Sequence, residues 1–104
     1  MNDKRGDHEK VYCETPTGGA GVNIPRWKYV AIRDVILEVT EAAGDKGVLF
    51  SDLPSVLRDK LSPDTLEKLG SIKWHLTAVK LDMEVKGDIK RLEGKSPQRV
   101  VAGP

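Results

Sequence analysis

Few side chains in this sequence have the type and spacing for chemistry. His8, His75 and Cys13 are the only imidazoles and the only thiol, and none stands at the short paired spacing that zinc ligands use. No metal or cofactor is expected. Asp82 and Glu84 lie two residues apart, so on a helix their carboxylates diverge by about 160° and cannot work as an acid–base pair. No Ser or Cys has a base partner readable from the chain. The stretch "TGGAGVNIP" places glycines before a helix start, where anions bind. It lacks the lysine and hydroxyl of a P-loop and the spacing of a dinucleotide fingerprint, so it reads as a flexible connector. The expectation is a protein that is not an enzyme.

Charge is the remaining resource. The 104 residues carry 17 Lys plus Arg against 16 Asp plus Glu, a net charge of +1. That is far from the excess of a dedicated nucleic-acid binder. The distribution is uneven: residues 70–104 hold seven basic and four acidic side chains (+3), and residues 1–69 hold ten and twelve (−2). Any anionic partner is therefore expected at the C-terminal third. A lone cysteine rules out an intrachain disulfide and suits a reducing compartment. "MNDKRGDHEK" has no apolar signal-peptide core, and no apolar run approaches the ~20 residues of a membrane span. A cytoplasmic protein without membrane contact is expected.

These residues must be positioned by a small set of elements. Residues 1–8 are polar and read as a disordered tail, and residues 9–104 as a single domain. "KVYCET" has strand character over Glu9–Glu14. A first helix is expected from a cap at Asn23, with Pro25 in its first turn and Tyr29, Ile32, Ile36, Val39 and Ala43 on one face. "VLF" suits a short strand. A second helix follows in "SDLPSVLRDKL", capped by Ser51 or Asp52 with Pro54 in the first turn. "SPDTLEKLGS" is a connection with room for one helical turn, started by Ser62 and Pro63.

A third helix is expected over Ser71–Lys86. At about 100° per residue its side chains fall into four strips. Ile72, Leu76, Val79 and Met83 form one apolar strip, and Trp74, Ala78, Leu81 and Val85 form another on nearly the opposite side. Lys73, Thr77, Lys80 and Glu84 fill one flank; His75, Asp82 and Lys86 fill the other. Gly87 suits a left-handed stop. "DIKRLEG" and "QRVVA" then form a hairpin with a basic tip, burying Ile89, Leu92, Val100 and Val101 against the helices, since a free hairpin is marginal in water.

The order helix, short strand, helix, helix, hairpin, with "LDMEVKGDIKR" running from helix through glycine into strand, resembles the winged helix-turn-helix superfamily over about residues 24–102. The whole chain also resembles a small bacterial family of winged-helix-like domains of unknown function, through "VYCETP", "PRWKYVAIRDVIL" and "WHLTAVKLDMEVKGDI". The resemblance implies an α+β, winged-helix-like fold: three main helices, a C-terminal β-hairpin wing and an N-terminal strand-like extension. It also implies a DNA-binding, transcription-regulator-like module. In that reading the third helix lies in the major groove with Lys73, Thr77 and Lys80 toward bases and phosphates, while Lys95 and Arg99, with Arg91 secondary, contact phosphates from the wing.

Two features resist it. Glu84 stands four residues after Lys80, where an intrahelical pair is expected. The Trp74 strip also needs a cover, supplied by the strand around Val11, the linker or a second subunit. The alternative is therefore a protein-interaction or homodimerisation module with the same fold and no DNA binding. Its surface would be the Trp74, Leu81 and Val85 strip, or Trp27 with Val30 and Leu37 on the first helix. For Trp74 itself, core packing is the simpler expectation.

Overall fold

Two apolar-alternating segments that neighbour each other in sequence close the first sheet. In the computed structural model, which describes residues 9–92, 94 and 97–103, Lys10–Cys13 (β1) pairs antiparallel with Val22–Pro25 (β2). Val11 faces Ile24 and Cys13 faces Val22, so the period of two sends Cys13 and Ile24 into the core and leaves Tyr12 outside. Gly21 is required in this ribbon. A Cβ there would stand 2.1 Å from the Cys13 carbonyl oxygen and 2.9 Å from the Tyr12 ring. The tail at residues 1–8 lies outside the described residues.

The ribbon corrects one expectation. Asn23 does not cap a helix, and the connector is shorter than "TGGAGVNIP", because Val22–Pro25 is already a strand. Ile24 is buried there as a strand residue, and pairing to β1 competes successfully with a longer helix. The first helix, α1, runs Arg26–Ala43 with Pro25 as its cap residue, and the Arg26 amide donates to the Glu9 carbonyl at 2.7 Å. Its buried face is Tyr29, Ile32, Val35, Ile36 and Thr40, wider than the expected stripe and without Val39 and Ala43. Thr40 is buried because its hydroxyl donates back to the Ile36 carbonyl at 2.8 Å.

Val48–Leu49 (β3) follows, then Leu53–Lys60 (α2), with Pro54 in the first turn. Asp52 stands at the cap position of α2 but makes no side-chain capping bond. The connection after it is a helix of its own, Pro63–Leu69 (α3), in which Ser62 Oγ accepts from the Thr65 amide at 3.2 Å. Ile72–Lys86 (α4) starts with Ser71 Oγ accepting from the Trp74 amide at 3.2 Å and stops at Gly87, φ 84°. Ile89–Arg91 (β4) and Arg99–Ala102 (β5) then pair antiparallel, Ile89 opposite Ala102. β5 is the middle strand: β3 pairs its other edge, Val48 opposite Val100. Of the four residues expected under the hairpin, Ile89 and Val100 are buried, and Leu92 and Val101 are partly so.

Among the described residues the fold is thus a mixed α+β arrangement of four helices and two small antiparallel sheets. The inner strip of α4 behaves as expected. Leu76, Val79 and Met83 join Ile32, Ile36, Leu53, Leu57 and Ile89 in one core, each such side chain contributing about 1.5–3 kcal/mol by burial. No helix among the described residues is long and apolar enough to cross a membrane.

Candidate functional site

The outer side of α4 meets the β1–β2 ribbon, and the two enclose a groove of about 180 Å³. One wall is Cys13, Glu14 and Thr15 with Ala20, Gly21 and Val22; the other is Trp74, Thr77, Ala78 and Leu81. The expected cover for the outer strip is therefore present, but only in part. Trp74 and Val85 remain 49% and 41% exposed. Core packing, the simpler expectation for Trp74, does not hold: with the ribbon in place about half of the residue is still exposed at the groove. The indole instead meets His75 edge-on, ring centroids 4.9 Å apart at 82°. Leu81 is partly buried.

Beneath the groove the ribbon is latched to α4 by a carboxylate. Asp82 is fully buried. Its Oδ1 accepts from the Glu14 amide at 3.0 Å, and its Oδ2 accepts from the Tyr29 hydroxyl at 2.6 Å and from Lys86 Nζ at 2.5 Å. Burial alone would raise the Asp82 pKa. The bonds from Lys86, Tyr29 and the Glu14 amide outweigh that and hold it below the ordinary carboxylate value. Burial, reinforced by the Asp82 hydrogen bond and charge, pushes the Tyr29 hydroxyl well above its usual range. The Cys13 thiol is pushed up to about 11, first by burial and then by the Asp82 charge, with Lys86 opposing. A thiol so protonated is a poor nucleophile. No strip of α4 suggested this node. The legible signal was Tyr29, whose polar tip on an apolar face needs a buried partner.

The opposite flank of α4 departs from the DNA-reading arrangement. Lys73 and Thr77 are exposed, but Lys80 is only 3% exposed. Its Nζ stands 2.5 Å from Glu84 Oε2, donates to Gln98 Oε1, and lies 5.0 Å from the Phe50 ring centroid. Glu84 Oε2 has no aligned hydrogen-bond donor despite that proximity, so charge attraction holds the pair. The foot of the hairpin and the β3–α2 turn close over Lys80, so it does not share the exposed surface of Lys73 and Thr77. On the hairpin, Arg91 is exposed, while Arg99 is partly buried and donates to the Lys46 carbonyl at 3.4 Å. Lys95 lies outside the described residues.

On α1, Val30 is 41% exposed, whereas Trp27 and Leu37 are partly buried. Lys28 Nζ lies 5.7 Å from the Trp27 ring centroid and donates to the Leu69 carbonyl at 3.1 Å. None of the three α1 candidates lines the groove. Among the described residues no cluster of three His, Cys, Asp or Glu could hold a metal ion.

No curated protein and no solved structure matches the chain. Residues 10–100 match the model described as "Family of unknown function (DUF6958)", and with nearly the whole chain covered, the protein belongs to that family.

Proposed function

We infer that the protein is a non-enzymatic protein-interaction module on a winged-helix framework, and that it binds through the outer strip of α4. The framework is supported by the element order α1, β3, α2, α3, α4 and the β4–β5 hairpin, and by the pairing of β3 with β5. One observation carries the interaction reading. A half-exposed tryptophan, Trp74, stands at the mouth of an apolar groove on the side of α4 turned away from the core. Tryptophan is enriched among the few side chains that carry most of the binding energy at protein interfaces.

DNA binding is the second reading, favoured by Lys73 and Thr77 lying side by side and exposed on α4 with Arg91 exposed on the hairpin. The burial of Lys80 removes one of its three groove contacts. Titration with mixed-sequence duplex at low and then moderate salt separates the two. The interaction reading expects no saturable complex. A complex whose log–log salt slope is about −4, four phosphate contacts from Lys73, Arg91, Lys95 and Arg99, would replace it with the DNA reading.

A further inference from the structure

The groove restricts what can occupy it. We propose that it takes a short segment of another polypeptide, seating one aliphatic side chain with a carboxylate placed toward Lys73. This rests on the interaction reading and adds the class of partner.

Size argues first. A dry apolar cavity of about 150 Å³ accommodates a benzene-sized group, so the 180 Å³ groove has room for one branched aliphatic side chain and little more. Its walls are Cys13, Val22, Trp74, Ala78 and Leu81, with the Thr15 and Thr77 hydroxyls as polar features. A second copy of the chain fits poorly. The exposed parts of Trp74 and Val85 offer on the order of 150–200 Å² of apolar surface, whereas the apolar share of a stable interface is about 450 Å² per partner.

Two main-chain donors at the rim, one on each strand's side, are already used. The Glu14 amide bonds Asp82, and the Gly21 amide donates to the Tyr12 hydroxyl at 2.9 Å. Side-chain insertion, and not strand addition along these residues, is therefore the recognition mode.

Charge fixes the orientation. Lys73 is exposed one residue before Trp74 and has no ion-pair partner among the described residues. Glu14, also exposed, lies on the ribbon wall. An acid in the partner is attracted to the α4 side and repelled from the ribbon side. The Asp82 latch keeps both walls together before the partner arrives, which lowers the ordering cost of binding.

The test is a chemical-shift titration of the ¹⁵N-labelled protein with three probes: acetyl-Asp-Leu-Leu-amide, acetyl-Lys-Leu-Leu-amide and acetyl-Asp-Ser-Ser-amide. Expected are saturable shifts at the Trp74 indole and the Gly21, Thr77 and Ala78 amides. The Asp-Leu-Leu peptide should bind at least threefold tighter than the Lys-Leu-Leu peptide, a gap that Lys73→Ala closes. The serine peptide should not bind.

Ala78→Leu, which fills the groove, should weaken binding at least tenfold. Trp74→Ala, at a half-exposed site, provides a second loss variant whose folding is checked by thermal unfolding. Absence of saturable shifts at millimolar peptide, equal binding of the serine peptide, or full binding by Ala78→Leu overturns the proposal. A dimer in sedimentation that Leu81→Asp dissolves would overturn the short segment and leave the interaction reading standing. Duplex DNA shifting Lys73 and Arg91 with the salt slope above would overturn both.

Discussion

Two lysine–carboxylate pairs lie on opposite flanks of α4, each at four-residue spacing and each 2.5 Å between charged atoms. By sequence they are near equivalents. In the structure they do different things. Asp82 is the buried member of its pair, has donors from three parts of the chain, and leaves Lys86 Nζ toward solvent beside the Tyr29 ring. In the other pair it is the lysine that is buried, and Glu84 has no aligned donor. A buried charge stabilises when every lone pair has a partner, and costs desolvation when it does not. The Asp82 pair therefore joins the ribbon to α1 and α4, while the Lys80 pair, tied to Gln98 and Phe50, fixes where the hairpin sits.

The sharpest way to break the comparison is to remove the more deeply buried member of each pair in turn. Asp82→Ala strands the Tyr29 hydroxyl and the Glu14 amide and should cost about 3–5 kcal/mol in urea unfolding. Lys80→Met should cost less, about 1–3 kcal/mol, because the Glu84 side chain is 13% exposed against 0% for Asp82, and its carboxylate can turn outward to water. Compensation separates them further. Adding Glu84→Leu to Lys80→Met should restore most of the loss, as matched apolar replacements of buried pairs do. Adding Lys86→Met to Asp82→Ala should restore almost nothing, since the orphaned groups belong to Tyr29 and Glu14. Equal recovery in the two double variants would erase the distinction.

Acid should expose the same asymmetry with a smaller effect. The folded pKa of Asp82 lies below its ordinary 3.8. Its contribution is thus present above about pH 4 and drains away as pH falls through the folded value. Urea unfolding followed from pH 6 down to pH 2.5 should show a loss of stability below pH 4 that Asp82→Ala largely lacks. A variant that tracks the parent throughout would mean that the latch carries no linked proton.

What could be read from the sequence divides along the same line. α4 was legible almost to the residue, because Ser71, Gly87 and the 3.6-residue apolar rhythm are local signals. So were β1, β3 and the β4–β5 pairing. The strand at Val22–Pro25 was not, because its partner, not its composition, decides between strand and helix start. The burial of Lys80 was equally hidden. The expected pair with Glu84 sets it apart from Lys73 within α4 but says nothing of depth; Gln98 and Phe50, brought by tertiary folding, bury it. The outer strip was recognisable as an apolar surface needing cover, and its partial cover by Cys13–Thr15 became visible only with the ribbon in place.

The least perturbing probe is the thiol. Cys13 lies against the Asp82 node and on the groove wall, and its pKa is raised from 9.0 to about 11. At pH 8 the thiolate, the reacting species, should be about a hundredfold scarcer than in the unfolded chain. Iodoacetamide labelling of the folded protein should be slower by at least that factor, and faster with rising pH toward 11. Asp82→Ala should accelerate it by removing the charge that helps raise the pKa and by loosening the ribbon. Lys80→Met, on the other flank, should leave the rate unchanged. Labelling of the parent protein at the unfolded rate would mean that β1 does not rest on α4, and would remove the groove together with the latch.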